Sequence, residues 1–176
     1  MQIALYRGTS FVSRAIRFIT RSSYSHAAFL LDKRSEAVHE YASPWISSLE
    51  HQKCGSVVEA WEGGVKNSPS IDTLHSPGTR VDVFAFDPPL TGWQETKLLY
   101  LLGGDIGRPY DYLDVLRFIS RRRGTPGKHV FCSELVAQRC ADIGQPLFNR
   151  TESWRVPPDW IGRSVALDFI CTLITQ

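Results

Sequence analysis

Apolar residues recur along the chain with two periods, and the changes of period lay out the elements. Residues 2–6, QIALY, form a short apolar run that predicts a first strand. Ser10 is placed to cap a helix over 11–20. Phe11, Val12, Ala15, Ile16 and Ile19 fall on one face of that helix, and Arg14, Arg17 and Arg21 on the other, which reads as a solvated surface. Residues 26–31, HAAFLL, predict a strand that ends in a turn at Asp32-Lys33. The polar, mixed stretch 33–55, with Pro44 and Trp45, reads as an insertion or long hairpin. Residues 56–61, SVVEAW, predict a strand stopped by Gly63-Gly64, and a loop rich in Ser, Pro and Gly covers 67–79. Residues 80–86, RVDVFAF, alternate with period two and predict another strand.

The second half turns helical. Thr91 is positioned to cap a helix carrying Leu98, Leu99, Leu101 and Leu102, ended by Gly103-Gly104. Pro109 starts another, with Leu113, Leu116 and Ile119 toward the core and Arg121 to Arg123 at its end. A third helix spans 131–143, before Gly144. The apolar run from Val165 to Ile174 fits strand or helix equally. Blocks of strands followed by blocks of helices predict an α+β fold.

Size and charge narrow the function classes. A chain of 176 residues, 43% apolar and 22% charged, fits one domain with a real core, here 1–176. A net charge of +2 is too small to argue for a nucleic-acid partner. No apolar run reaches the length of a membrane span. The opening residues MQIALYRGTS lack a signal-peptide pattern, so the expectation is synthesis in the cytoplasm and, for any action elsewhere, a non-Sec route. Cys54, Cys132, Cys140 and Cys171 form no CxxC pair or dense framework and read as free thiols.

One of those thiols sits in a distinctive place. In HVFCSELVAQRC, Cys132 opens the predicted third helix. Free N–H groups and the positive end of the helix dipole favour a thiolate there, and the same N–H groups could hold an oxyanion. Cys140 lies near the other end, where the dipole has the opposite sign. The pattern alone leaves Cys132 open between a nucleophile and a buried small apolar residue. A thiolate nucleophile needs a base oriented by a third polar group. His26 opens an apolar strand after Ser25, whereas His75 lies in a loop, His39 and His51 in the mixed insert, and His129 in a turn. Spacing alone does not single out His26. Glu59 is a carboxylate inside an otherwise apolar strand, consistent with an orienting acid or with a strand facing water on one side.

Together, RGTSFVSRAIRFITRSSYSHAAFLL, SVVEAWEGGV, GRPYDYL and VFCSELV resemble the permuted NlpC/P60 cysteine hydrolases, in particular their YiiX-like branch. The resemblance runs over residues 5–136 with gaps. It implies a circularly permuted papain-like fold, an antiparallel sheet packed against helices. It also implies His26 as base, Glu59 as orienting acid and Cys132 as nucleophile. Tyr24, Ser25 and Tyr110 become candidate substrate-binding residues. The chain departs from the family in about twenty extra residues between His26 and Glu59, which leave His39 or Glu40 as alternative orienting groups.

The activity so implied is a thiol hydrolase or amidase working through a thioester, with cell-wall (peptidoglycan) peptides as the first substrate class. It needs no cofactor and no metal. A lipid-directed acyltransferase or phospholipase on the same fold is the first rival. A non-catalytic binding module using Arg121, Arg122 and Arg123 is the second, although three arginines at a helix end match the dipole anyway. A zinc site from His39, His51 and Cys54 matches no common spacing.

Overall fold

The computed structural model describes residues 1–31, 55–110 and 130–176. The insert with His39, Glu40, His51 and Cys54, the body of the helix expected from Pro109, Arg121 to Arg123, and His129 lie outside the described residues.

The strands arise where the apolar runs predict them: β1 (Gln2–Arg7), β2 (His26–Leu30), β3 (Val57–Trp61) and β5 (Arg80–Phe86). Two further strands complete a six-stranded antiparallel sheet, β4 (Gly64–Ser68) and β6 (Leu167–Ile174), in the order β4-β3-β2-β1-β5-β6. The undecided C-terminal run is therefore a strand, paired with β5 at the sheet edge. Gly63-Gly64 does not end the sheet. Trp61 pairs with Gly64 across Glu62-Gly63, a two-residue turn with Gly63 at φ 84°. Gly64 itself sits at φ 121°, and a Cβ there would lie 2.8 Å from the Arg108 carbonyl oxygen. Only glycine lets β4 approach the 107–110 segment this closely.

Four helices accompany the sheet among the described residues: α1 (Phe11–Thr20), α2 (Gly92–Asp105), α3 (Cys132–Asp142) and the short α4 (Pro158–Ile161). Ser10 and Thr91 cap α1 and α2 as expected, Thr91 through a capping box with Gln94. α2 runs through Gly103-Gly104 instead of stopping there, and buried Leu98, Leu99 and Leu102 hold it to the core. Packing outweighs the helix propensity of two glycines, a cost of about 1 kcal/mol each.

Strand alternation divides the core. Ile3, Leu5, Ala27, Phe29, Val58, Ala60, Phe84 and Phe86 face α2 and α3 on one side of the sheet. Ala4, Tyr6, Ala28, Leu30, Val57, Val81 and Val83 form a smaller cluster on the other. In α3, Leu135 and Val136 are fully buried, and each contributes about 1.5 to 3 kcal/mol to fixing the helix. The Asp105 carboxylate of α2 receives Arg139 of α3 in two hydrogen bonds, at 2.5 and 2.7 Å. That fork locks the helices together near the C-terminal end of α3.

α1 departs from expectation. It is helical as predicted, yet none of its residues is buried. Phe11 and Phe18 are each 86% exposed and Val12 66%, while Ser13, Arg17 and Thr20 are half-buried. Ser13 is the side chain turned to the body, so close to Gly8 that a Cβ there would collide with its Oγ. Of the apolar residues, Ala15 and Ile16 are half-buried, while Phe11, Val12 and Phe18 look outward.

Candidate active site

The candidate site forms where β2 and β3 part. Their pairing runs through Phe29–Val58 and Leu30–Val57 and, among the described residues, extends no further toward His26. The Ala27 N–H, which a longer ladder would direct at β3, instead donates to the sulfur of Cys132. Cys132 arrives at this gap as the first residue of α3, which packs on both strands. His26 and Glu59 come from the opposite face, because their neighbours Ala27, Val58 and Ala60 point into the helix-side core. Of the six candidate residues, Cys132, His26 and Glu59 meet as a trio.

Within the trio, His26 Nε2 lies 2.8 Å from Glu59 Oε2. Cys132 hydrogen-bonds the same imidazole, and with Nε2 engaged by Glu59 the nitrogen left for the sulfur is Nδ1. Cys132 and His26 are each 4% exposed and Glu59 is 0% exposed, so these charges interact in a poorly screened setting. Burial alone would favour the neutral forms. It is outweighed at Cys132 by the charge and hydrogen bond of His26, then by the Ala27 and Ser133 N–H groups, and the thiol pKa falls. At His26, burial is outweighed by the Cys132 charge and hydrogen bond and then by Glu59, which raise the imidazole to about 9. Burial of Glu59 is outweighed by the hydrogen bonds of His26 and His75, and its carboxyl drops to about 2. The pair therefore favours thiolate and imidazolium. Cys140, buried in the same helix, shows the contrast: burial pushes its thiol far up.

The start of α3 has no side-chain cap. Its N-cap, Phe131, offers no side-chain hydrogen bond to the first turn, and the Ser133 N–H is directed at the Cys132 sulfur. Ser133 Oγ instead donates to the Val156 carbonyl at 2.6 Å, which ties the first turn to the body.

A fourth polar residue joins the site from the loop over 69–79. His75 Nε2 lies 3.1 Å from the same Glu59 Oε2, and Ser68 Oγ donates to Oε1 at 2.9 Å. Three partners thus hold one buried carboxylate. The His75 ring stacks on Tyr6 at 3.8 Å between centroids and meets Trp61 edge-on at 4.8 Å. Burial lowers its pKa and the nearby His26 charge adds to that, outweighing Glu59, so His75 stays neutral. Tyr6 and Trp61 also flank His26, at 5.4 and 4.8 Å. No spacing in the sequence pointed to His75; the glycine turn after Trp61 was the one local sign that the chain doubles back.

The three candidate substrate-binding residues have other engagements. Ser25 Oγ donates to the Tyr6 carbonyl at 3.1 Å and accepts from the Gly8 N–H at 3.0 Å, fixing the residue before His26. Tyr24 is buried, its hydroxyl donating to Asp82 Oδ2 at 2.8 Å and its ring covered by Arg7. Tyr110, half-buried, forms a parallel bridge with Val130, two residues before Cys132. His26, Glu59 and His75 also place three ligand-capable atoms within 4.8 Å of one another.

No family model matches the chain, and no curated protein matches it either. Among solved structures, it is similar to one from Escherichia coli O157:H7 described as metalloprotein yiiX, DUF1105. That match has 17% identity and a TM-score of 0.62, and covers 97% of this chain and 94% of the other. The chain has a YiiX-like fold. The α+β architecture and antiparallel sheet thus agree with the sequence reading, at a level of identity that speaks to fold alone. No helix among the described residues is long and apolar enough to cross a membrane.

Proposed function

We propose that this YiiX-like domain is a cysteine hydrolase of the permuted papain-like, NlpC/P60 type, with Cys132 as nucleophile, His26 as base and Glu59 as the group that orients the base. The observation that carries the reading is the contact of a helix-opening thiol with a buried imidazole whose far nitrogen is held by a carboxylate. In the reaction, the Cys132 sulfur attacks a carbonyl carbon and the carbonyl π pair moves to oxygen. N–H groups at the start of α3 stabilise that oxyanion. His26 then gives its proton to the leaving amine or alcohol as the C–N or C–O bond breaks, leaving a thioester. Neutral His26 next takes a proton from water as it adds, and the thiolate leaves with the acid released.

Within this class the substrate is an amide of a cell-wall peptide, a choice supported by the resemblance of the four sequence segments and not by the geometry of the site. The test is mass analysis of products from a defined set of murein peptides, with phospholipids in parallel. A cleaved peptide bond that is lost in Cys132→Ala supports the reading. Release of fatty acid alone moves the substrate to lipid esters, and intact peptides and lipids with an unreactive Cys132 refute the hydrolase.

The cluster of His26, Glu59 and His75 favours a second reading, a divalent metal site, in line with the word metalloprotein in the description of the similar structure. Two imidazoles and one carboxylate form a donor set suited to Zn²⁺, which would supply Lewis-acid chemistry. It ranks second because it gives Cys132 no part and because Glu59 already has three hydrogen-bond partners. Stoichiometric zinc in purified protein, lost in His75→Ala and accompanied by an unreactive Cys132, would reverse the order.

A further inference from the structure

We infer that α1 is a docking element for an anionic phospholipid bilayer, lying flat on the surface with its apolar face inserted. The first observation is its inverted orientation. Phe11, Val12 and Phe18 point away from the body and Ile19 lies at their margin, while Ser13, Ile16, Arg17 and Thr20 turn toward it. A helix packed to stabilise its own domain does the opposite. Two phenylalanines at 86% exposure, the first residue and the third from last of a ten-residue helix, form a patch that needs a cover.

Charge selects the cover. Residues 1–31 contain four arginines and no aspartate or glutamate; Arg7 pairs with Asp82, which leaves Arg14, Arg17 and Arg21. Among the described residues, no carboxylate forms an ion pair with Arg14, Arg17 or Arg21, and Arg17 Nε is enclosed without a hydrogen-bond partner. Arg17 and Arg21 line a shallow depression together with Phe18 and Ile19, so guanidinium groups and apolar side chains share one opening. This combination suits a phosphate headgroup with acyl chains beneath it. A second copy of the helix fits worse, since pairing the apolar faces would bring the arginine rows together.

Placement ties the surface to the site. Ser13 of α1 and Ser25, the residue before His26, both crowd Gly8, at 2.2 and 3.1 Å from where its Cβ would stand. A bilayer under α1 would hold the strand that carries His26 close to the lipid surface. The inference does not rest on the hydrolase reading, because a docking helix serves a catalytic or a non-catalytic domain alike.

The experiment is co-sedimentation of the full chain, as Cys132→Ala to remove turnover, with vesicles of phosphatidylglycerol and phosphatidylcholine or of phosphatidylcholine alone. Binding to the anionic vesicles is expected, weakening as salt rises. Phe18→Ser is expected to lower the partition coefficient about tenfold. Arg14→Gln and Arg21→Gln are each expected to lower it roughly fivefold. Arg14 and Phe18 are on α1, which buries no residue, Arg21 is its exposed C-cap, and unchanged thermal melting certifies the fold. No binding to anionic vesicles, or binding indifferent to all three substitutions, overturns the inference. So does a wild-type dimer that Phe18→Ser dissociates while vesicles stay unbound, since the cover is then a second copy. Loss of vesicle binding would leave thiol reactivity at Cys132 in the wild type untouched, so failure here and failure of the hydrolase reading are told apart.

Discussion

His26 Nε2 and Glu59 Oε2 stand 2.8 Å apart across the gap between two strands, both side chains closed to solvent. A carboxylate this deep stays ionised because both of its oxygens have partners, here two imidazoles on Oε2 and a hydroxyl on Oε1. The same contact fixes which nitrogen of His26 faces Cys132.

Removing only the charge of that carboxylate tests its part. Glu59→Gln keeps the volume but weakens the preference for imidazolium. We expect turnover of an activated acyl ester to fall by roughly 10² to 10⁴, with the KM little changed. Wild-type kcat in this variant would remove Glu59 from the site.

His75 holds Glu59 without facing the sulfur. His75→Phe preserves a ring against Tyr6 and deletes the donor to Oε2. The expected result is a folded protein with kcat about tenfold lower, the loss of about one charge-assisted hydrogen bond. The carboxyl of Glu59 should titrate above its present value of about 2, moving the acid limb of the pH–rate profile upward. An unmoved acid limb would make His75 a packing residue.

Ser25 is read as a brace for the strand that begins at His26. Ser25→Ala leaves the buried Gly8 N–H without its acceptor. Equilibrium urea unfolding should show a loss of about 1 to 3 kcal/mol. A change below experimental error would mean that the Gly8 turn relaxes to find another partner.

The Asp105–Arg139 fork is buried enough to matter, whereas Arg163–Asp159 is not. Asp105→Ala should cost about 3 kcal/mol in the same unfolding experiment. Arg163, 74% exposed, should cost less than about 1 kcal/mol as Arg163→Ala. Equal effects would contradict the assigned locking of α2 to α3.

Much of this arrangement was legible from the chain, for identifiable reasons. β2, β3 and β5 are apolar runs bounded by turn residues, and α3 follows a capable helix pattern that begins at Cys132. The partnership of His26, Glu59 and Cys132 was legible only through the order of the four segments, since no spacing rule relates residues 26, 59 and 132. His75 was hidden because a polar loop carries no periodicity, and its approach to Glu59 depends on how 69–79 folds over β3 and Tyr6. β4 is hidden in the sequence because Gly63-Gly64 reads as a stop, whereas Gly63 makes the turn and Gly64 permits close contact with Arg108. The pattern of α1 gave the helix correctly but not its orientation. Amphipathicity states that two faces differ, and only tertiary contacts such as Ser13 against Gly8 state which face turns inward.

The central claim is the charged pairing of Cys132 with His26, and its most direct measurement is the rate of Cys132 alkylation by iodoacetamide as a function of pH. The thiol is lowered and the imidazole raised to about 9, so thiolate and imidazolium coexist through neutral pH. Below the lowered thiol pKa the sulfur protonates and the rate drops; above about 9 the imidazolium is lost, but the thiolate remains. The account predicts rapid alkylation on a plateau that spans pH 7, and in His26→Ala a titration displaced above the ordinary thiol range by burial. A wild-type profile that rises like a free cysteine and is unchanged in His26→Ala would contradict it.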